Sequence, residues 1–153
     1  MSRPIWSSPW QPGPATEPSC GADPVTVNIT EFTAHRPLDA AKVLVAGVML
    51  RRTWPRTAGA VGMWLWMEAG PLRPRSGSVS LWRDRARLQD FVGRPDHLRI
   101  VRAFRGKGDL RSVTWTSSES RPDVLWDPVH RILSGLDPWP LGPEVPEEGV
   151  AGP

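Results

Sequence analysis

Proline sets the limits within which this chain can fold. Six of its 18 prolines lie in residues 1–24 and five lie in residues 138–153. Proline lacks a backbone N–H donor and restricts φ, so neither end can continue as a regular helix or a central strand. We therefore predict an N-terminal arm over residues 1–23, one folded domain over 24–118 and a C-terminal extension over 119–153. A domain of that length buries one small core.

The residues between these ends recur with periods that distinguish strands from helices. Alternation with β-branched residues predicts strands, and apolar residues three and four positions apart predict helices. The predicted order is a strand over 24–30, a helix over 38–54, strands over 60–68 and 78–82, a helix after Asp84, a second helical piece after Pro95, and a strand over 109–117. This βαββαβ order is typical of an α+β, ferredoxin-like fold.

Alternation also divides the strand residues between two faces of the sheet. The first helix carries an apolar stripe at Leu38, Ala41, Val45, Val48 and Met49. Both helices are expected to pack on the sheet face that carries Val25, Val27, Ile29, Val61, Met63, Leu65, Val79 and Leu81. The opposite face then carries Thr26, Asn28, Thr30, Trp64, Trp66, Glu68, Ser78, Ser80 and Trp82.

Three tryptophans on one sheet face need a cover, since each indole buries about 150–250 Å² when it is packed. We expect a second subunit of a homodimer, the tryptophan-bearing N-terminal arm, or both to supply it. Indoles interleaved with polar groups also describe a ligand pocket, in which Trp64, Trp66, Trp82 and Ser80 would bind a hydrophobic small molecule. The alternative is a tryptophan-rich interface, because tryptophan is enriched at interfaces.

The run from Ser78 to Asp84, followed by Leu88, Phe91 and Arg94-Pro-Asp-His97, resembles the antibiotic-biosynthesis monooxygenase superfamily, including its spheroidene-monooxygenase-like relatives. The resemblance covers residues 24–118. It implies a dimeric α/β barrel in which two sheets pack face to face around small-molecule sites. Members include cofactor-free monooxygenases, haem-degrading enzymes and non-oxidative cyclases or isomerases. Arg94 replaces a small residue of the motif, and the chain has no tyrosine.

Three residues are candidates for the chemistry. His97 matches a motif position and titrates near neutral pH, so it is a candidate general base, although it could instead brace the helix break after Pro95. Glu68 could deprotonate a phenol or enol if burial raised its pKa, or it could pair with an arginine. Asn28, at a polar first-strand position that some members use, could hold an oxyanion together with indole N–H groups.

Composition narrows the partners and cofactors. Between Arg51 and Arg111 there are 13 arginines and one lysine against five acidic residues, and from Ser112 onward two arginines face seven acidic residues. We read the basic region as a solvated face and predict no nucleic-acid partner. No apolar run of about 20 residues predicts a membrane span. The single cysteine, three scattered histidines and missing glycine-rich fingerprints predict no metal site and no nucleotide cofactor.

The expected function is a cytoplasmic, homodimeric enzyme of bacterial secondary metabolism. It is predicted to be a cofactor-independent monooxygenase of an aromatic polyketide or polyene intermediate, with haem as the one cofactor left open. Two alternatives remain from the sequence. One is a non-oxidative cyclase or isomerase of the same fold, and the other is a non-catalytic ligand-binding module.

Overall fold

The computed structural model describes residues 3–15, 24–70 and 73–140. In chain order its elements are β1 Ile5–Ser7, β2 Gln11–Pro12, β3 Val25–Ala34, α1 Pro37–Thr53, a 3₁₀ turn Trp54–Arg56, β4 Ala60–Glu68, β5 Arg75–Trp82, α2 Arg85–Val92, α3 Pro95–Phe104, β6 Gly108–Ser117 and α4 Pro122–Leu133. The elements from β3 to β6 follow the predicted βαββαβ order, and the α+β, ferredoxin-like fold is confirmed. No helix in the described ranges has the length and apolar character to cross a membrane.

The strands form one antiparallel sheet in the order β1-β4-β5-β3-β6, with β2 also paired to β4. The N-terminal arm therefore joins the edge of the sheet beside β4. Its prolines are compatible with this place, since an edge strand leaves backbone donors on one side unpaired. The predicted division into an arm over residues 1–23 and a domain over residues 24–118 stays a prediction.

The predicted division of the two sheet faces is wrong for β4. Ala60 lies opposite Trp82, as the alternation requires, but a β-bulge follows and Gly62 lies opposite Leu81. The extra residue turns the rest of β4 over, so that Trp64 lies opposite Val79. A one-residue shift moves every later side chain to the other face. Trp64 and Trp66 consequently share the aliphatic face of β3 and β5.

The aliphatic face is covered by α4 and the N-terminal arm, whereas α1 and α2 pack on the other face. The expectation that both helices pack on the aliphatic face is therefore wrong. Leu125, Val129, Ile132 and Leu133 of α4 join the aliphatic residues of β3 and β5 in one core. Trp64 packs between Trp10 and Trp126, with ring centroids 4.5 and 5.1 Å away, and is 6% exposed. Of the covers expected from the sequence, the arm is present. A second subunit is not needed on this face, and the homodimer stays a prediction.

The second core lies between the sheet and α1, the 3₁₀ turn and α2. It contains Trp54, Ala60, Met63, Leu65, Trp82 and Leu88, with Phe91 packed against it. The apolar stripe of α1, which was expected to pack on the aliphatic sheet face, is instead exposed: Leu38 by 65%, Val45 by 60% and Met49 by 62%. Helix α1 is apolar on all sides, so its periodicity did not identify the packed face. It approaches the sheet at Gly47, where a Cβ would lie 3.4 Å from Leu65.

Candidate functional site

Asn28 lies on the face covered by α1 and is buried in the sheet. Its Nδ2 donates to Ser112 Oγ at 3.1 Å, Val113 O at 3.1 Å and Thr114 Oγ1 at 2.9 Å, all in β6. An amide nitrogen has two hydrogens, and these three acceptors use both of them. The geometry therefore favours a role for Asn28 in joining β3 to β6 over one in holding a substrate oxyanion.

Trp82 and Ser80 lie on the same face as Asn28 and bind each other. The indole nitrogen of Trp82 donates to Ser80 Oγ at 2.9 Å. The Trp82 ring packs against Trp54 and Phe91, with centroids 4.9 and 5.1 Å away, and Trp54 lies 5.4 Å from Phe91. These three rings form the aromatic cluster of the site. The Trp54 indole nitrogen is buried and has no hydrogen-bond partner among the described residues.

His97 lies on the outer side of this cluster, at the start of α3. Its ring centroid is 5.0 Å from that of Phe91, and its Nδ1 lies 3.0 Å from the carbonyl oxygen of Val92. If Nδ1 carries the proton, it donates to that carbonyl and leaves Nε2 as the basic nitrogen. Burial lowers the pKa of His97 below its usual value of 6.5, so the neutral imidazole is favoured near pH 7. The contact with Val92 is the helix-break brace that the sequence offered as an alternative to catalysis.

A cleft of about 480 Å³ opens beside the aromatic cluster. Phe91 forms its apolar wall, and three arginines contribute positive charge. The lining residues are Thr53, Arg56, Thr57, Ala58, Arg87, Asp90, Phe91 and Arg94. A smaller recess of about 220 Å³ shares Ala58 and Arg87 with the cleft and adds Arg83. The recess is also lined by Pro14 and Ala15 of the N-terminal arm.

The three arginines of the cleft differ in how far their charge is neutralised. Arg94 pairs with Asp96, donates to Thr57 Oγ1 at 3.1 Å and lies over the Phe91 ring, 5.3 Å from its centroid. Among the described residues, Arg87 has one ion-pair partner, Asp90, at the long distance of 3.8 Å. Arg56 has no ion-pair partner within the described part of the chain. Arg56 and Arg87 therefore leave positive charge available for an anion.

Backbone geometry places Arg87 in the cleft. Gly59 has a φ of 78°, a conformation that glycine adopts readily, and a Cβ there would overlap the Arg87 side chain. Helix α2 begins after Asp84, whose carboxylate accepts from the Arg87 backbone nitrogen at 2.9 Å. The tight turn before β4 and the capped start of α2 together hold the Arg87 stem against the backbone.

Solved structures of the same fold place this geometry in context. The cofactor-independent oxygenase SnoaB from Streptomyces nogalater is 19% identical, with 66% of this chain and 99% of its own covered and a TM-score of 0.50. A variant of SnoaB is 20% identical over the same shares, with a TM-score of 0.51. A Bacteroides thetaiotaomicron protein described as a possible oxidoreductase is 11% identical over 60% of this chain and 96% of its own, with a TM-score of 0.50. No family model and no curated protein matches the sequence.

This chain has the fold of these solved structures, among them the oxygenase SnoaB. The ferredoxin-like fold that the resemblance of the Ser78–Asp84 and Arg94–His97 motifs implied is thus confirmed. These motifs lie in β5, at the start of α2 and at the start of α3. They surround the aromatic cluster and its basic cleft.

The predicted site residues do not come together in one pocket. Asn28, Ser80 and Trp82 lie on the α1 side of the sheet, with His97 beyond the aromatic cluster. Trp64 and Trp66 lie on the α4 side, where the Trp66 indole nitrogen donates to Thr30 O at 3.2 Å. Their expected pocket with Trp82 and Ser80 is therefore absent from the described structure, and the bulge in β4 is the reason.

Glu68 also lies on the α4 side and pairs with an arginine. Arg75 binds it through two contacts, Nε to Oε1 at 3.2 Å and Nη2 to Oε2 at 2.7 Å. This is the alternative to catalysis that the sequence left open for Glu68, and its role in catalysis stays a prediction. Sequence reasoning missed Trp54, Arg56 and Arg87. The sequence signal that could have located Arg87 is the helix cap, because Arg87 follows the capping residue Asp84 by three positions.

The described residues do not form a candidate metal site. They contain no group of three or more histidine, cysteine, aspartate and glutamate side chains placed to hold an ion. For haem, His97 is the histidine beside the aromatic cluster, and its Nδ1 is already directed at Val92 O. Its Nε2 is the atom that would have to bind the iron.

Proposed function

We propose that the protein is an oxygenase-type enzyme that binds the anion of an aromatic or polyene small molecule in the basic cleft. One observation carries the proposal: the cleft combines an aromatic wall, Phe91, with the incompletely paired guanidinium groups of Arg56 and Arg87. A volume of about 480 Å³ is within the usual range for small-molecule sites. Planar guanidinium groups bind oxyanions and stack on aromatic faces.

Anion binding is what cofactor-independent oxygenation requires. A phenol or a CH₂ group between aromatic rings becomes electron-rich enough for O₂ only after it loses a proton. The carbanion adds O₂, and the resulting hydroperoxide loses water to leave a carbonyl group. Guanidinium groups beside the substrate oxygen stabilise the enolate form and favour this first proton loss. The reaction consumes one O₂ and releases one water for each carbonyl formed.

The surrounding residues have distinct roles in the proposal. Arg56 and Arg87 bind the enolate oxygen, and Phe91 stacks on the conjugated rings. The buried cluster behind Phe91 excludes water from that side of the substrate. His97 is the candidate base, since its pKa is lowered and its neutral form can accept the proton. His97 contacts Phe91 but lines neither opening, so the arginines are the stronger test of the site.

Oxygen uptake tests the proposal directly. A hydroxylated anthrone or a naphthol is supplied to the purified protein without flavin, nicotinamide or added metal, while O₂ and quinone are measured. Arg87→Met is expected to lower kcat/KM by about 10²-fold, the usual effect of losing one charge-stabilising donor. Arg85→Met is the matched control, because Arg85 also lies in α2 but lines neither opening.

Several outcomes would contradict the proposal. Equal loss in Arg87→Met and Arg85→Met would remove the cleft as the substrate site. Substrate conversion without O₂ uptake would favour a cyclase or isomerase. Saturable binding without any turnover would favour a ligand-binding module. A Soret band in the active preparation would replace the cofactor-independent mechanism with a haem-dependent one.

A further inference from the structure

Arg94 bridges the two sides of the basic cleft. One side follows α2 and the residues just after it, and is lined by Arg87, Asp90, Phe91 and Arg94, at successive spacings of three, one and three positions. The other side is lined by the end of α1, the 3₁₀ turn and the residues after that turn. Arg94 Nη1 donates to Thr57 Oγ1 at 3.1 Å, which joins the two sides at the end of α2.

The Arg94 side chain is held on both sides of this bridge. Its Nε donates to Asp96 Oδ1 at 3.0 Å, and its Nη2 binds Asp96 Oδ2. Asp96 is fixed in turn, because its Oδ1 also accepts from the His97 backbone nitrogen at 2.9 Å. Thr57 is 5% exposed, and its hydroxyl donates to Thr53 O at 3.0 Å, so its oxygen lone pairs accept from Arg94. Bidentate binding of this kind fixes the orientation of a planar guanidinium.

Arg94 contributes volume to the cleft more than it contributes charge. Its pair with Asp96 offsets its positive charge, whereas Arg56 and Arg87 leave theirs available for an anion. The Arg94 guanidinium lies over the Phe91 ring, 5.3 Å from its centroid, and narrows the cleft there. A side chain fixed by three hydrogen bonds cannot move aside for a ligand without losing them.

We propose that Arg94 sets the size limit of the molecule that binds in the cleft. A planar fused-ring anion held at Arg56 and Arg87 extends along the cleft toward Phe91, where its far ring meets the contact between Arg94 and Thr57. A ring system extended past that point has to displace the guanidinium. One methylene more or less in a pocket changes specificity by about 10–200-fold, so a further fused ring is a large difference. The choice of ligand rests on the proposed function, whereas the size limit is a property of the cleft itself.

Equilibrium binding without O₂ tests the size limit separately from turnover. The probes are a naphthol, a hydroxylated anthrone and the homologue of that anthrone with one more linearly fused ring, and calorimetry gives the Kd of each. The unaltered chain is expected to bind the largest probe about 10-fold more weakly than the anthrone, or more weakly still. Arg94→Ala is expected to remove this difference, because the largest probe gains the space that the guanidinium occupied.

Two further variants accompany Arg94→Ala. Arg99→Ala is the matched control, since Arg99 is an exposed arginine of α3 that lines neither opening, and it should keep the size preference. Thr57→Val removes the acceptor on the far side of the cleft and leaves the pair with Asp96 in place. It should weaken the size preference less than Arg94→Ala does, and it keeps the proposal testable if Arg94→Ala does not fold.

The possible results separate the size limit from the oxygenase function. Equal weakening of all three probes by Arg94→Ala would show that Arg94 binds the anion, and would overturn the proposal. An unaltered chain that binds the largest probe as tightly as the anthrone, or that binds none of the probes, would also overturn it. A size preference without O₂ uptake in air would support the size limit and refute the oxygenase function. O₂ uptake with equal kcat/KM for the anthrone and its larger homologue would refute the size limit alone.

Discussion

Arg75 connects the sheet to α4, and its removal should loosen that helix. The guanidinium Nη1 lies 2.7 Å from Glu31 Oε2, Nη2 lies 2.7 Å from Glu68 Oε2, and Nη2 also donates to Leu133 O at 3.0 Å. Leu133 is the last residue of α4, whose terminal carbonyls lack helical partners. The hydrogen bond with Glu68 raises the pKa of Arg75, so the side chain is charged throughout the working range.

The magnitude follows from the burial of the three side chains. Arg75 is 24% exposed, Glu31 12% and Glu68 14%. Loss of one partner from a fully buried ion pair costs about 3–5 kcal/mol, and a fully exposed pair contributes about 0–1 kcal/mol. Arg75→Met leaves two carboxylates and one carbonyl without their donor in an intermediate environment. We expect the free energy of unfolding to fall by about 2–3 kcal/mol, which lowers Tm by about 4–12 °C.

Urea unfolding followed by tryptophan fluorescence measures this change, and amide exchange locates it. Residues 122–133 should exchange faster in Arg75→Met. Arg73→Met is the matched control, since its pair with Asp109 is 55% and 72% exposed and should contribute less than about 1 kcal/mol. Equal effects of the two variants, or unchanged exchange in α4, would refute the reasoning. Glu68→Gln should likewise lower the free energy of unfolding, because it weakens the ion pair with Arg75, and should leave turnover nearly unchanged.

Two further predictions concern packing and pH. Gly62→Ala should lower the free energy of unfolding by about 1–3 kcal/mol, because a Cβ on Gly62 would overlap the Trp10 ring. Thermal melting measures this change, and an unchanged Tm would contradict the docked position of the arm. Burial lowers the pKa of His97 in the folded state, so the unfolded chain binds this proton first as pH falls. The free energy of unfolding should therefore decrease as the pH falls below about 6.5. In urea midpoints measured from pH 5 to 7.5, His97→Gln should remove the part of the pH dependence that His97 causes. A pH dependence unchanged by the substitution would exclude His97 as its source.

Local periodicity was sufficient for most element boundaries. The predicted helix over 38–54 is observed at Pro37–Thr53, and the predicted strand over 60–68 is observed at Ala60–Glu68. Each boundary follows from residues near it in sequence, such as Pro55 after α1. The same local information indicates a short amphipathic helix within Asp123–Leu133, and the structure places α4 over Pro122–Leu133.

Which face of each element is packed was harder to predict from the sequence, because it depends on pairing between distant residues. Alternation in β4 is consistent with either phase, and one bulge between Ala60 and Gly62 decided it. The apolar residues of α1 occur on every side, so the exposed stripe could be recognised only once the sheet was in place. Glu68 is an ion-pair residue for the same reason, since its partner Arg75 follows a reversal of the chain.

By itself the sequence determined the order of the elements, the ferredoxin-like fold and the motifs around Trp82 and His97. These properties depend on proline placement and short-range periods, which are read along the chain. The tertiary structure decided which face α4 covers, where the indoles lie and that Arg56, Arg87 and Phe91 share a cleft. Such groupings arise from long-range register and packing, in which a single extra residue in one strand reverses the direction of every side chain that follows.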